Sequence, residues 1–129
     1  MKKFSILSFS LIILLILLFV LVRPTQKIVS VHLVSETTEI TYTDRESLQI
    51  FEDAIRTVKK VRGSVDVGEP TYRMTVTYAN SKVVGFSLYM DFTTKDGFLI
   101  KASNSEKMLD LRNKNSVELA DLLIKEKED

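Results

Sequence analysis

From Tyr72 to Phe92 the chain runs YRMTVTYANSKVVGFSLYMDF, and the reading of this stretch decides the fold class. Tyr72, Met74, Val76 and Tyr78 alternate with Arg73, Thr75 and Thr77. Val84, Phe86, Leu88, Met90 and Phe92 alternate in turn with Gly85, Ser87, Tyr89 and Asp91. Successive side chains of a strand point to opposite faces, so a period of two marks strands with one buried and one wet face. Asn80-Ser81 between the runs is turn chemistry, which predicts an antiparallel hairpin.

Downstream, Asp96-Gly97 reads as a second hairpin turn leading into a strand at Phe98 to Ala102. Ser103 to Lys107 reads as a polar turn, and Met108 to Arg112 as a short fourth strand. Asn115-Ser116-Val117-Glu118 then opens a terminal helix with Val117, Ala120, Leu123 and Ile124 on one face. The charged end, Lys125 to Asp129, is expected to fray.

Upstream, Lys27 to Val34 and Glu39 to Thr43 alternate as two short strands joined through Ser35 to Thr38. Thr43-Asp44-Arg45-Glu46 matches a capping box, after which Leu48, Phe51, Ile55, Val58 and Val61 recur at three- and four-residue steps. Lys59, Lys60 and Arg62 suit the carbonyl-rich end of that helix, and Gly63 suits its left-handed cap. A loop follows from Ser64 to Pro70. The expected fold class is therefore α+β, in the order β-β-α-β-β-β-β-α, with the helices packed on one face of an antiparallel sheet. That face is expected to bear Met74, Val76, Phe86, Leu88, Met90, Phe98, Ile100, Leu109 and Leu111.

The first 23 residues differ from the rest in kind. Lys2 and Lys3 precede Phe4 to Val22, a run interrupted only by Ser5, Ser8 and Ser10. As a helix this run is about 28 Å long, close to the hydrocarbon thickness of a bilayer. A cleaved secretory signal is the alternative, but Phe19-Val20-Leu21-Val22-Arg23-Pro24 lacks the pair of small residues that cleavage requires. The division expected is residues 1–23 as a signal-anchor and transmembrane segment, and 24–129 as one extracytoplasmic domain. Lys2, Lys3 and the amino terminus against Arg23 and Lys27 favour the N-terminus inside and the domain outside.

Net charge is +1, and without Lys2, Lys3 and Arg23 the 18 basic residues fall to 15 against 17 acidic. With no block of like charge, no nucleic-acid partner is expected. The absence of cysteine excludes a disulfide framework, a thiolate metal site and a lipid-modified cysteine.

Three stretches carry a family resemblance: Ile50-Phe51-Glu52-Asp53-Ala54-Ile55, Val65-Asp66-Val67-Gly68-Glu69-Pro70-Thr71-Tyr72 and Phe86-Ser87-Leu88-Tyr89. Together they resemble the YhfM-like domain of small Bacillus-type surface lipoproteins, over most of residues 27–124. The resemblance implies a Gram-positive cell-surface setting and brings no catalytic residues with it. The chain departs from that pattern in lacking the lipidated cysteine, which leaves the apolar span as its tether.

Candidate sites are few. His32 is the only histidine, and a strand position beside Ser30 favours a surface or rim role over metal binding or a catalytic triad. Glu52-Asp53 and Asp44 with Glu46 lie on a helix's polar side and first turn, where solvation and dipole complementarity explain them. Gly63 to Gly68 lacks the lysine of a phosphate loop. No cofactor and no metal is expected. The polar sheet face formed by Arg73, Thr75, Thr77, Ser87, Tyr89 and Asp91, with Lys101 and Arg112 added, is the candidate surface for a protein or cell-wall partner, though a face that simply meets water accounts for it too. The Ser64 to Pro70 loop is a second candidate. The expected function is a non-enzymatic interaction module held at the cell membrane. A protease inhibitor is the alternative, because a helix followed by an antiparallel meander is similar to the cystatin-like arrangement.

Overall fold

In the computed structural model, residues 10–16, 27–62 and 68–128 are described. Residues 10–16, inside the apolar run, are helical (α1), and Leu11 to Ile16 are exposed. Among the described residues no helix is long and apolar enough to cross a membrane. The remainder of the expected span lies outside them, as do Gly63 and most of the Ser64 to Pro70 loop.

Among the described residues seven strands follow: β1 (Ile28–Val34), β2 (Glu39–Tyr42), β3 (Lys59–Arg62), β4 (Tyr72–Tyr78), β5 (Val83–Asp91), β6 (Asp96–Lys101) and β7 (Asn104–Asp110). All pair antiparallel in one sheet, ordered β2-β1-β4-β5-β6-β7-β3. Helix α2 (Arg45–Arg56) leads from the β2 edge to the β3 edge and packs on β1, while α3 (Asn113–Glu128) packs on α2 and β6. The α+β class and the helix-covered face agree with the pattern read from the sequence, with one strand more than expected.

That extra strand is β3. The expected helix ran on to Gly63, but α2 stops at Arg56, and Thr57 leaves the helical region while its N–H (3.2 Å) and Oγ1 (2.7 Å) both bond the Asp53 carbonyl. Two β-branched residues, Thr57 and Val58, favour this exit. Lys59 to Arg62 then pair with β7, Val61 opposite Met108, so Val61 continues the helical spacing only by coincidence. The start also moves by one residue: Asp44, not Thr43, is the cap, its Oδ2 accepting the Ser47 N–H at 2.9 Å.

The turn expected at Asp96-Gly97 lies instead at Phe92 to Lys95. Asp91 Oδ1 accepts the N–H groups of Thr93 (2.9 Å) and Thr94 (3.3 Å), and Lys95 takes a positive φ of 61°. Asp96 and Gly97 are the first residues of β6 and pair with Asp91 and Met90. Glycine is required at 97 for close approach: a Cβ there would sit 2.8 Å from the Tyr89 carbonyl oxygen. With this register Phe98 opposes Tyr89 and Ile100 opposes Ser87, so both lie on the outer face rather than in the core. Leu99, opposite Leu88 and Leu109, is the buried one. A strand shifted by one residue exchanges its faces, which is why placing the turn decided the core.

Strand β7 begins at Asn104, four residues before the expected Met108, and α3 begins at Asn113, with the Ser116 N–H on the Arg112 carbonyl at 2.8 Å. The buried stripe of α3 is Ser116, Leu119, Ala120 and Leu123, leaving Val117 exposed where it was expected inside. These residues join Leu48, Phe51 and Ala54 of α2 against Val31, Leu33, Met74, Val76, Phe86, Leu88 and Leu99 of the sheet. Each fully buried large side chain contributes about 2 kcal/mol. That tertiary burial, more than intrinsic propensity, stabilises both helices.

Candidate functional site

The helices leave one corner of the inner face bare. Between the end of α2, the β4–β5 turn and the β6–β7 turn lies an open cleft of about 790 Å³. Its apolar floor is Val84, Phe86 and Leu109, with Ile55 and Val58 on the α2 side. Phe86 is buried in the core cluster, and the others pack against it.

Four lysines rim this floor: Lys60, Lys82, Lys101 and Lys107. Their convergence follows from the pairing. Lys101 opposes Phe86 and therefore shares its inner face; Lys60 opposes Leu109 and shares its face; Lys107 lies two residues from Leu109 on the same strand. Lys82 comes from the β4–β5 turn, where its N–H bonds Asn80 Oδ1 at 3.0 Å. No carboxylate lines the cleft among the described residues. Among the described residues the ion pairs lie elsewhere, at Arg45–Glu52, Arg56–Asp53, Lys95–Asp121 and His32–Glu39. The amide and hydroxyl groups of Asn80, Ser103 and Asn104 complete the rim. Lysine stems cover apolar surface while their ammonium groups stay in water, so the arrangement presents cations above a greasy floor.

The residues singled out from the sequence fall differently. Arg73, Thr75, Thr77 and Ser87 do share the outer face of the sheet, exposed or half-buried. Tyr89 is also there, but its ring stacks on Phe98, with centroids 4.7 Å apart and planes at 9°, and its hydroxyl donates to the Gly68 carbonyl at 3.1 Å. Asp91 is engaged in capping the turn. Lys101 belongs to the opposite face. Arg112 follows β7, and its Nε donates to the Thr57 carbonyl at 3.0 Å, so it ties α3 to the end of α2.

His32 is held between Thr41 Oγ1 (2.8 Å) and Glu39 Oε1 (2.9 Å) on the outer face. Among the described residues no group of three histidines or carboxylates is placed to hold a metal ion. Glu52 is not a solvated helix-surface residue: its Oε1 accepts the Ile28 N–H at 2.7 Å and pairs with Arg45 at 2.6 Å. It thereby satisfies a backbone donor beside the β1 bulge. Asp44 has its carboxyl held below the usual range by hydrogen bonds from Ser47, as a helix cap requires.

With the site on the page, its relatives can be placed: the family described as YhfM protein matches residues 24–129. The chain belongs to the YhfM family. The match begins just after the apolar run and takes in every described strand together with α2 and α3, so the cleft lies wholly within the matched residues. No curated protein and no solved structure matches the chain. As a group the lysines of the cleft carried no signal in the sequence. They are scattered at 60, 82, 101 and 107, with Lys60 read as part of a helix end beside Lys59, and only the sheet and its turns bring them together.

Proposed function

We propose that this YhfM-family chain is a membrane-tethered, extracytoplasmic binding module, non-enzymatic in character, whose site is the lysine-rimmed cleft. The observation that carries the reading is the meeting of four lysines, with no carboxylate lining the cleft among the described residues, over an apolar floor of Val84, Phe86 and Leu109. Such a surface suits an anionic ligand with an apolar part, since each solvent-exposed cation–anion contact adds up to about 1 kcal/mol and the floor adds apolar burial. Lysines and amides hold and orient an anion, which is the chemistry of binding. The outer face is the weaker candidate, because Tyr89 and Asp91 already spend their polar groups within the fold.

The tether is supported by Lys2, Lys3 and the apolar run after them, and by the exposure of Leu11 to Ile16 along α1. Protease added to intact protoplasts tests the topology: digestion of the domain is expected, and full protection overturns an outside location. Titration of the detergent-extracted full-length chain with decyl phosphate and with poly(glycerol phosphate) tests the site. Saturable binding to at least one anion is expected, weakened by Lys101→Glu with Lys107→Glu, and binding to neither overturns the reading.

A further inference from the structure

Resting on that reading, we infer that the occupant of the cleft is an anionic phospholipid of the membrane to which the chain is tethered. The argument is one of position. Ala79 donates its N–H to the Lys27 carbonyl at 2.8 Å, so the start of the domain is strapped to the β4–β5 turn. That same turn supplies Asn80 and Lys82 to the rim of the cleft. A second, smaller hollow of about 270 Å³, lined by Lys27, Ile28 and the Arg45-paired Glu52, shares Ile55 and Tyr78 with the cleft, so the two adjoin on the side where the chain enters the domain.

Only residues 23–26 separate the apolar run from Lys27. Five residue steps reach at most about 17 Å, which holds the entry side of the cleft near the headgroup layer. Near such a surface each lysine gains about 1 kcal/mol from anionic lipid, within a screening length of about 8 Å. The rim then meets the phosphate, and Phe86 and Val84 meet the glycerol and the upper acyl chain. The membrane itself supplies this ligand at the highest local concentration available to a tethered domain.

The absence of cysteine allows a single environment-sensitive fluorophore to be placed in the full-length chain through Ser103→Cys at the cleft rim. The labelled chain is reconstituted in nanodiscs of phosphatidylcholine, with or without phosphatidylglycerol. A blue shift is expected only with phosphatidylglycerol. It should be lost at high salt and weakened about fivefold for each lysine removed, in Lys101→Gln and in Lys82→Gln, the latter in an exposed turn. Arg73→Gln on the outer face should leave it unchanged, and circular dichroism checks that every variant is folded. A shift that ignores Lys82 and Lys101 overturns the assignment. No shift with phosphatidylglycerol but a response to added poly(glycerol phosphate) overturns the lipid and keeps the binding cleft. No response to either overturns both.

Discussion

The Ser116 hydroxyl donates a 2.6 Å hydrogen bond to the Lys95 carbonyl, joining the first turn of α3 to the β5–β6 turn across 21 residues of sequence. Ser116 is fully buried, and the side chain of Lys95 reaches the same helix at Asp121, 2.7 Å away. Ser116→Ala leaves the Lys95 carbonyl without this partner and should cost about 1–3 kcal/mol. Lys95→Ala removes only an exposed ion pair and should cost well under 1 kcal/mol. Urea titration followed by circular dichroism ranks the two, and equal losses would contradict the assignment.

Gly97 faces the backbone of its neighbouring strand. Gly97→Ala places a methyl group 2.8 Å from the Tyr89 carbonyl and 3.0 Å from Met90 Cε, and should destabilise by about 1–3 kcal/mol. Gly85→Ala meets only Ala102 Cβ at 3.4 Å and should be far milder. A lowered denaturation midpoint with an unchanged slope for Gly97→Ala alone is the expected result.

Tyr42 is buried against Phe51, with ring centroids 5.3 Å apart, and its hydroxyl has no hydrogen-bond partner among the described residues. Tyr42→Phe should therefore be neutral or stabilising by up to about 1 kcal/mol. Burial first, and then the charge of Glu126, raises the Tyr42 hydroxyl well above its usual 10.0. Burial also raises Tyr72 and Tyr78. Because the folded state holds these protons longer than the unfolded chain, stability is complete below pH 10.0 and falls as pH rises beyond it. Unfolding titrations on either side of that pH should show a smaller alkaline loss in Tyr42→Phe than in the parent.

Asp44 works in the other direction. Its cap holds the carboxyl below 3.8, so the cap's contribution is present above that pH and is lost as pH falls below it. Asp44→Asn keeps the cap and should blunt the acid sensitivity, whereas Asp44→Ala should lower stability at neutral pH. Thermal melts at neutral and acidic pH separate these outcomes.

What was legible in the sequence was whatever depends on neighbours along the chain. The alternation from Tyr72 to Asp91 placed β4 and β5 on the correct faces, and the Asn80-Ser81 turn was found where Ser81 takes a φ of 70°. The helix was found, but not its end, because Val58 and Val61 keep a helical spacing although Val58 lies beyond the helix cap and Val61 pairs in a strand. Asp96-Gly97 imitated a hairpin turn although Gly97 serves close packing. Of the polar face, Arg73, Thr75, Thr77 and Ser87 were placed together correctly as a surface, and Lys101 was assigned to the wrong side.

By itself, then, the sequence determined the α+β class, the antiparallel hairpins and one buried side for β4 and β5, since periodicity and turn chemistry act over a few residues. The tertiary structure alone decided that β3 closes the far edge, that Leu99 rather than Phe98 enters the core, and that Lys60, Lys82, Lys101 and Lys107 surround one cleft. Those outcomes depend on the register between strands far apart in the chain. Register is set by the burial of the whole sheet against two helices, which no local pattern contains.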